Sequence, residues 1–265
     1  MRAVPLPAKA VPCAIALVAG LLSACGDDSG DELDPSDRGA GVGALGGSAQ
    51  TETLARTSLR RPPPGTLAWV AHEIRLEPGK PIEHEHEPAF AYARSGEQSV
   101  RRARGVPGSG GHTSLGAGDA AAVGAGVRHI HRAGDAGAVL WEIRLARPAA
   151  APPPGAGSAR SVFVSDPLEG VPAPAAVSLI EVTVPPRGGR TTVHTHPGPE
   201  FIYQLTGRID YQNAIVGTRR LGPGGAEGIP PGTAVQKRNP YADPATFLSL
   251  FLVDPRRPFA PRADF

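Results

Sequence analysis

Two pairs of histidines carry the clearest chemistry in this 265-residue chain: His84-Glu85-His86 and His194-Thr195-His196, set 110 positions apart. On a strand, residues i and i+2 face the same side, so each pair can aim two imidazoles at one point. Glu200 follows the second pair by four residues and can bring a carboxylate there after a short turn. Two imidazoles and one carboxylate hold a divalent metal and leave positions open, as in the facial triad of non-haem Fe(II) enzymes. Glu200 is then expected to be both ligand and catalytic base.

The elements that must position these groups repeat along the chain. A strand over 69–76 is closed by Glu77-Pro78-Gly79, then come His84 and His86, a strand over 90–93 and the turn Ser95-Gly96. The order recurs as a strand over 177–184, the turn 185–188, His194 and His196, a strand over 201–205 and Thr206-Gly207. Each copy continues through a Gly-rich turn and strand, over 118–131 and 224–239, and ends on an apolar strand, over 138–145 and 246–253. Gly 34 and Pro 30 make about a quarter of the chain, which suits short strands and tight turns and disfavours a helical bundle. The fold class expected is all-β.

The second copy reads Gly188-x5-His194-x-His196-x3-Glu200-x6-Gly207, then Gly224-x5-Pro230-x-Gly232-x2-Val235-x3-Asn239. This resembles the two motifs of the cupin family at every fixed position but one, the last histidine, where Val235 stands. The first copy keeps Gly79-x4-His84-x-His86, but Ala89 stands at the carboxylate position, with Glu87 a nearby substitute. Its second motif, Gly118-x5-Gly124-x-Gly126-x2-His129, keeps the histidine that the second copy lacks. The resemblance implies two small jelly-roll β-barrels in tandem, over 65–147 and 176–258, joined by a Pro/Gly-rich linker over 148–175. It also implies metal ligands His194, His196 and Glu200 in one barrel and His84, His86 and His129 in the other. The ion would be Fe(II), Mn, Zn or Ni. His131 reads as a structural histidine, with a substitute ligand as the alternative. Trp69 and Trp141 read as core, and His72 and His112 receive no role.

The N-terminus reads as an address. Arg2 and Lys9 precede a nine-residue apolar run over 14–22, too short to span a bilayer but suited to a secretory signal. Leu22-Ser23-Ala24-Cys25 resembles the lipobox of bacterial lipoproteins, so residues 1–25 are expected to be a signal ending at Cys25, the lipidated mature N-terminus. Gly26 resembles the pattern of outer-membrane sorting. Residues 26–64 read as a flexible linker, its Gly/Ser/Asp-rich part running to about Ser58. Cys13 would be removed, which leaves one cysteine and no disulfide.

Composition excludes several function classes. Lys plus Arg number 27 against 25 Asp plus Glu, no field for nucleic acid, and aromatic residues make only 5% of the chain. A P-loop, a Ser-His-Asp order and a cysteine nucleophile are absent from the sequence. The expected protein is a membrane-anchored, extracytoplasmic bicupin that binds a divalent metal and acts on a small molecule, as a dioxygenase would. The alternative is a non-catalytic module binding a metal or small ligand at the cell surface. The working copy is expected to be the second, whose first motif is complete.

Overall fold

The computed structural model of the chain describes residues 44–103, 112–153, 155 and 159–265. The leader and Cys25 lie outside the described residues, as does the linker up to residue 43. Among the described residues every regular element is a strand. An edge strand, β1 (Gln50–Leu59), precedes the first barrel, which comprises β2 (Ala68–Leu76), β3 (Ile82–His84), β4 (Ala89–Arg102), β5 (His112–Leu115), β6 (Ala120–Val123) and β7 (His129–Ala146). After β8 (Arg160–Val164), the second barrel follows: β9 (Ala175–Val184), β10 (Gly189–Arg190), β11 (Glu200–Thr206), β12 (Ile209–Asn213), β13 (Gly217–Leu221), β14 (Ala226–Ile229), β15 (Val235–Asn239) and β16 (Ala245–Val253).

The second barrel is two facing sheets, β1-β9-β16-β11-β14 and β10-β15-β12-β13. In the first barrel the same positions are held by two long strands, β4 and β7, which bend from one sheet into the other. Their pairing slips at Ala93/Ser95 and at Gly96/Gln98, and these bulges supply the bend. Gly96 and Gly207 mark equivalent corners at φ +75 and +66, where a Cβ would strike the carbonyl oxygens of Gly137 and Pro244. Gly207→Ala is therefore expected to lower the urea unfolding free energy by about 1–3 kcal/mol. An unchanged denaturation midpoint would refute this account of the corner.

Two segments read as linker are partly strand. Gln50–Leu59 pairs antiparallel with β9 of the second barrel, although it precedes the first in sequence. Arg160–Val164 pairs with β2 of the first barrel, although it lies within the Pro-rich connection. Each covers an edge that would otherwise expose unpaired N–H and C=O groups. Polar residues alternate with few large apolar ones in β1, which is why its sequence carries no strong strand signal.

Alternation along the central strands divides three cores. On β16, Ala245, Phe247, Phe251 and Val253 point into the second barrel, whereas Leu248, Leu250 and Leu252 point out. Those outward residues join Trp69, Phe90, Trp141, Ile143 and Leu145 of the first barrel in a shared core between the barrels. Ile74, Ala91, Leu140 and neighbours fill the first barrel itself. Both tryptophans are core residues, as expected. Against this alternation the inward positions that are polar stand out: Glu142 and Arg144 on β7, and Ser249 on β16, all buried.

Candidate metal centres

In the first barrel, β3 pairs with the start of β7, and the register sets His84 opposite His129 and Ile82 opposite His131. His86 follows in the turn before β4. The four imidazoles converge, with ring centroids 4.5 Å apart for His84 and His129, 4.7 Å for His86 and His129, and 4.9 Å for His129 and His131. The carboxylate at their centre is Glu142. His84 Nε2 lies 2.8 Å from its Oε2, His86 Nε2 lies 3.4 Å from Oε1, and His131 Nε2 lies 3.9 Å from Oε2. One ligand atom each from His84, His129, His131 and Glu142 falls within 4.8 Å of all the others, and all four side chains are buried.

Neither Ala89 nor Glu87 provides this carboxylate. Ala89 heads β4 opposite Arg144, as Glu200 heads β11 opposite Phe251. Two residues on, Ala91 faces Glu142 and Ile202 faces Ser249. The first barrel thus carries its carboxylate one strand over, at the position Ser249 holds in the second. Glu87 is half exposed and reaches only Arg144, at 3.5 Å. Glu142 could have been found from sequence as a lone acid inside the apolar run Ala138-Val-Leu-Trp-Glu-Ile-Arg-Leu145.

Hydrogen bonding orients the rings. His129 Nδ1 donates to the Val127 carbonyl at 2.8 Å, and His86 Nδ1 donates to the Glu87 carbonyl. A carbonyl only accepts, so each ring turns its Nε2 lone pair inward. The inward atoms His86 Nε2, His129 Nε2, His131 Nε2 and Glu142 Oε1 have no hydrogen-bond partner. Buried polar atoms are rarely left so, and several converging on one point fit a bound cation. Burial first, then the neighbouring histidines, holds His131 down at about 3; burial also holds His129 at about 4, against the Val127 carbonyl that favours its charged form. Neutral imidazoles are the form that ligates a metal. Burial alone would raise Glu142, but its hydrogen bond to His84 and the nearby His86 outweigh this and keep it ionised.

The second barrel brings together His194, His196 and Glu200, as expected, with one ligand atom of each within 4.8 Å. His194 Nδ1 donates to the Thr192 carbonyl and His196 Nδ1 to the Phe259 carbonyl, both at 2.8 Å, leaving their Nε2 atoms inward and unpartnered. The carboxylate differs. Lys237 Nζ donates to both Glu200 oxygens, at 3.0 and 2.8 Å, and Ser249 Oγ donates to Oε1 at 2.8 Å. Lys237 and Glu200 are both fully buried. Burial would raise Glu200, but Lys237 and then the histidines pull it below the ordinary carboxylate range. Burial lowers Lys237 while Glu200 opposes that shift. Val235 stands opposite His194, where His129 stands opposite His84, and is part of the apolar core. Lys237 therefore occupies the register position of His131.

The C-terminal segment closes this barrel. His194 bridges Arg262, Thr195 N–H donates to the Pro261 carbonyl, and Ala263 N–H donates to the Val193 carbonyl. The Phe259 ring packs on His196 with centroids 5.0 Å apart. Phe259→Ala is expected to cost about 3–5 kcal/mol of unfolding free energy if the closure is as well packed as a core. Differential scanning calorimetry checks this, and an unshifted melting temperature would contradict it.

Other residues fall where their sequence context leaves them. His112, Arg190 and Arg208 are exposed. His72 is buried and its Nδ1 lies 3.3 Å from Arg144 Nη2, a contact that gives it a structural role.

Residues 180–251 match the cupin domain family. Among solved structures, the formate complex of Lactobacillus farciminis oxalate decarboxylase is 15% identical, with 78% of this chain and 88% of that chain covered at a TM-score of 0.53. A point variant of Bacillus subtilis oxalate decarboxylase is 16% identical, with 82% and 75% covered at 0.54. A structure of the same Bacillus subtilis enzyme, which has Mn(II) centres, is 18% identical, with 86% and 78% covered at 0.51. The fold is thus all-β, two cupin-type jelly rolls in tandem. No curated protein matches the sequence.

Proposed function

We propose that this chain is a metal-dependent bicupin whose metal sits in the first barrel and whose substrate is a small carboxylate. The ligands would be His84, His129, His131 and Glu142, whose donor atoms lie within 4.8 Å of one another, with His86 Nε2, 3.4 Å from Glu142 Oε1, as a further donor. The observation that carries the reading is the buried cluster of His84, His129, His131 and Glu142, in which His129 Nε2, His131 Nε2 and Glu142 Oε1 have no hydrogen-bond partner. A divalent ion suits several neutral imidazoles and one carboxylate, and Mn(II) heads the candidates because a protein of the same fold has Mn(II) centres. Bound there, such an ion polarises a carbonyl or carboxylate oxygen.

The substrate class follows from Arg144. Its guanidinium is buried inside the first barrel, 3.5 Å from Glu142 Oε1 and 3.5 Å from Glu87, and it also donates to the Ala151 carbonyl. Arginine binds carboxylates through a planar fork, so a buried one beside the site favours an anionic substrate. Similar structures are oxalate decarboxylases, one with formate bound, which supports a small mono- or dicarboxylate. The dioxygenase reading rested on the triad of the second barrel, where Glu200 is held by Lys237. In this reading the chain's residues would bind the carboxylate at Arg144 and hold the metal by the histidines and Glu142.

Burial of every candidate ligand favours a second reading, a metal-holding module without turnover. One experiment separates them. Purified full chain, loaded with Mn(II) and free of excess metal, is assayed for carbon dioxide release from oxalate and related dicarboxylates. Turnover that rises in KM about tenfold in Arg144→Lys supports the enzyme. Bound metal with no turnover supports the module, and no bound metal overturns both.

The location of the protein is a separate proposal: Cys25 is lipidated and tethers the barrels to the outer membrane. The apolar run, the lipobox-like Leu22–Cys25 stretch and the near-zero charge left after its removal support it, because a neutral protein needs lipid to stay at a membrane. In detergent phase partitioning the wild type is expected in the detergent phase and Cys25→Ala in the aqueous phase. Identical partitioning of the two would sink the idea.

A further inference from the structure

Lys237 has no place in the metal chemistry so far described, yet it is the most deeply buried cation in the second barrel. Its ammonium lies 2.8 and 3.0 Å from the two oxygens of Glu200, the one fully buried carboxylate of that barrel. We propose that Lys237 is the resident cation of the second barrel, taking the place of a metal ion there, so that this barrel holds no metal of its own.

Two observations carry this. Both Glu200 oxygens are occupied, Oε2 by Lys237 and Oε1 by Lys237 and Ser249, whereas Glu142 Oε1 in the first barrel has no hydrogen-bond partner. A divalent ion bonds a carboxylate oxygen at about 2.0–2.2 Å, so an ion on either Glu200 oxygen would lie against the ammonium. Two cations there would repel each other in a site walled from water. The fourth-ligand position is Val235, fully buried among Ile180, Val182 and other apolar side chains, which offer an ion nothing.

The two barrels thus meet one electrostatic requirement, a cation beside a buried carboxylate, in different ways. At equivalent register the first places His131, a neutral donor, and the second places Lys237, a covalently attached charge. The inference goes beyond the first-barrel reading and survives or fails independently of it.

Metal stoichiometry tests it, using the full chain equilibrated with Mn(II) and then with Zn(II), and counted by elemental analysis. His84→Ala/His129→Ala, which disables the first barrel but keeps Lys237, is expected to bind no metal. Adding Lys237→Met to that background is expected to restore about one equivalent, held by His194, His196 and Glu200, and to make the melting temperature rise with added metal. Retention of one equivalent in His84→Ala/His129→Ala would overturn the proposal, since the lysine would then be yielding to the ion. So would a folded Lys237→Met triple variant that gains none. Should the triple variant fail to fold, the double variant still decides. If wild type binds no metal while the triple variant binds one, the first-barrel reading fails and this one stands.

Discussion

Glu142→Ala is expected to empty the first barrel of metal and to end turnover with it. Metal affinity should fall by far more than the 10–100-fold that loss of an outer hydrogen-bond partner brings. The carboxylate is the only anionic group among the inward donors, so its removal leaves four imidazoles with no charge to offset a divalent ion. Glu142→Gln separates charge from shape: it keeps one oxygen donor of the same reach, and binding should still weaken by at least about tenfold because the amide is uncharged. By contrast, Glu200→Gln is expected to leave the metal content of the full chain at its wild-type value. Elemental analysis of the three proteins gives the answer. Metal lost in Glu200→Gln and kept in Glu142→Ala would restore the second barrel as the working copy.

The expectation that the second copy does the work rests on a complete first motif, and the first-barrel proposal departs from it for a physical reason. A motif records which residue types recur at which spacing, and Glu200 satisfies it. What Glu200 bonds to is set by a strand 37 residues away, where Lys237 enters from β15. Nothing local marks that lysine, since Gln236-Lys237-Arg238 looks like an exposed polar run. Glu142 was legible in principle, as an acid within an apolar strand, but a search confined to motif positions passes over it. The histidines and barrels were legible because alternation and turn chemistry are local. The partners of β1 and β8 were not, because long-range pairing across a barrel leaves no mark on either strand alone.

The Lys237–Glu200 pair should show itself in stability even where no metal is involved. Taking two charges out of water is costly, and the pair persists because each offsets the other's desolvation with two direct bonds and a third from Ser249. Removing either partner strands a buried charge, so Lys237→Met and Glu200→Gln are each expected to cost about 3–5 kcal/mol in metal-free buffer. The double variant removes both charges, leaves side chains of similar length, and should cost clearly less than the sum of the two. The coupling energy from the resulting cycle should fall at or above the upper end of the usual range, near 3 kcal/mol. Urea unfolding with a chelator present measures it, following intrinsic fluorescence from Trp69 and Trp141 in the shared core between the barrels. Strictly additive costs would mean that the ammonium and the carboxylate do not sense each other. Lys237 would then be no substitute for an ion, and the second barrel would need another account of its buried charge.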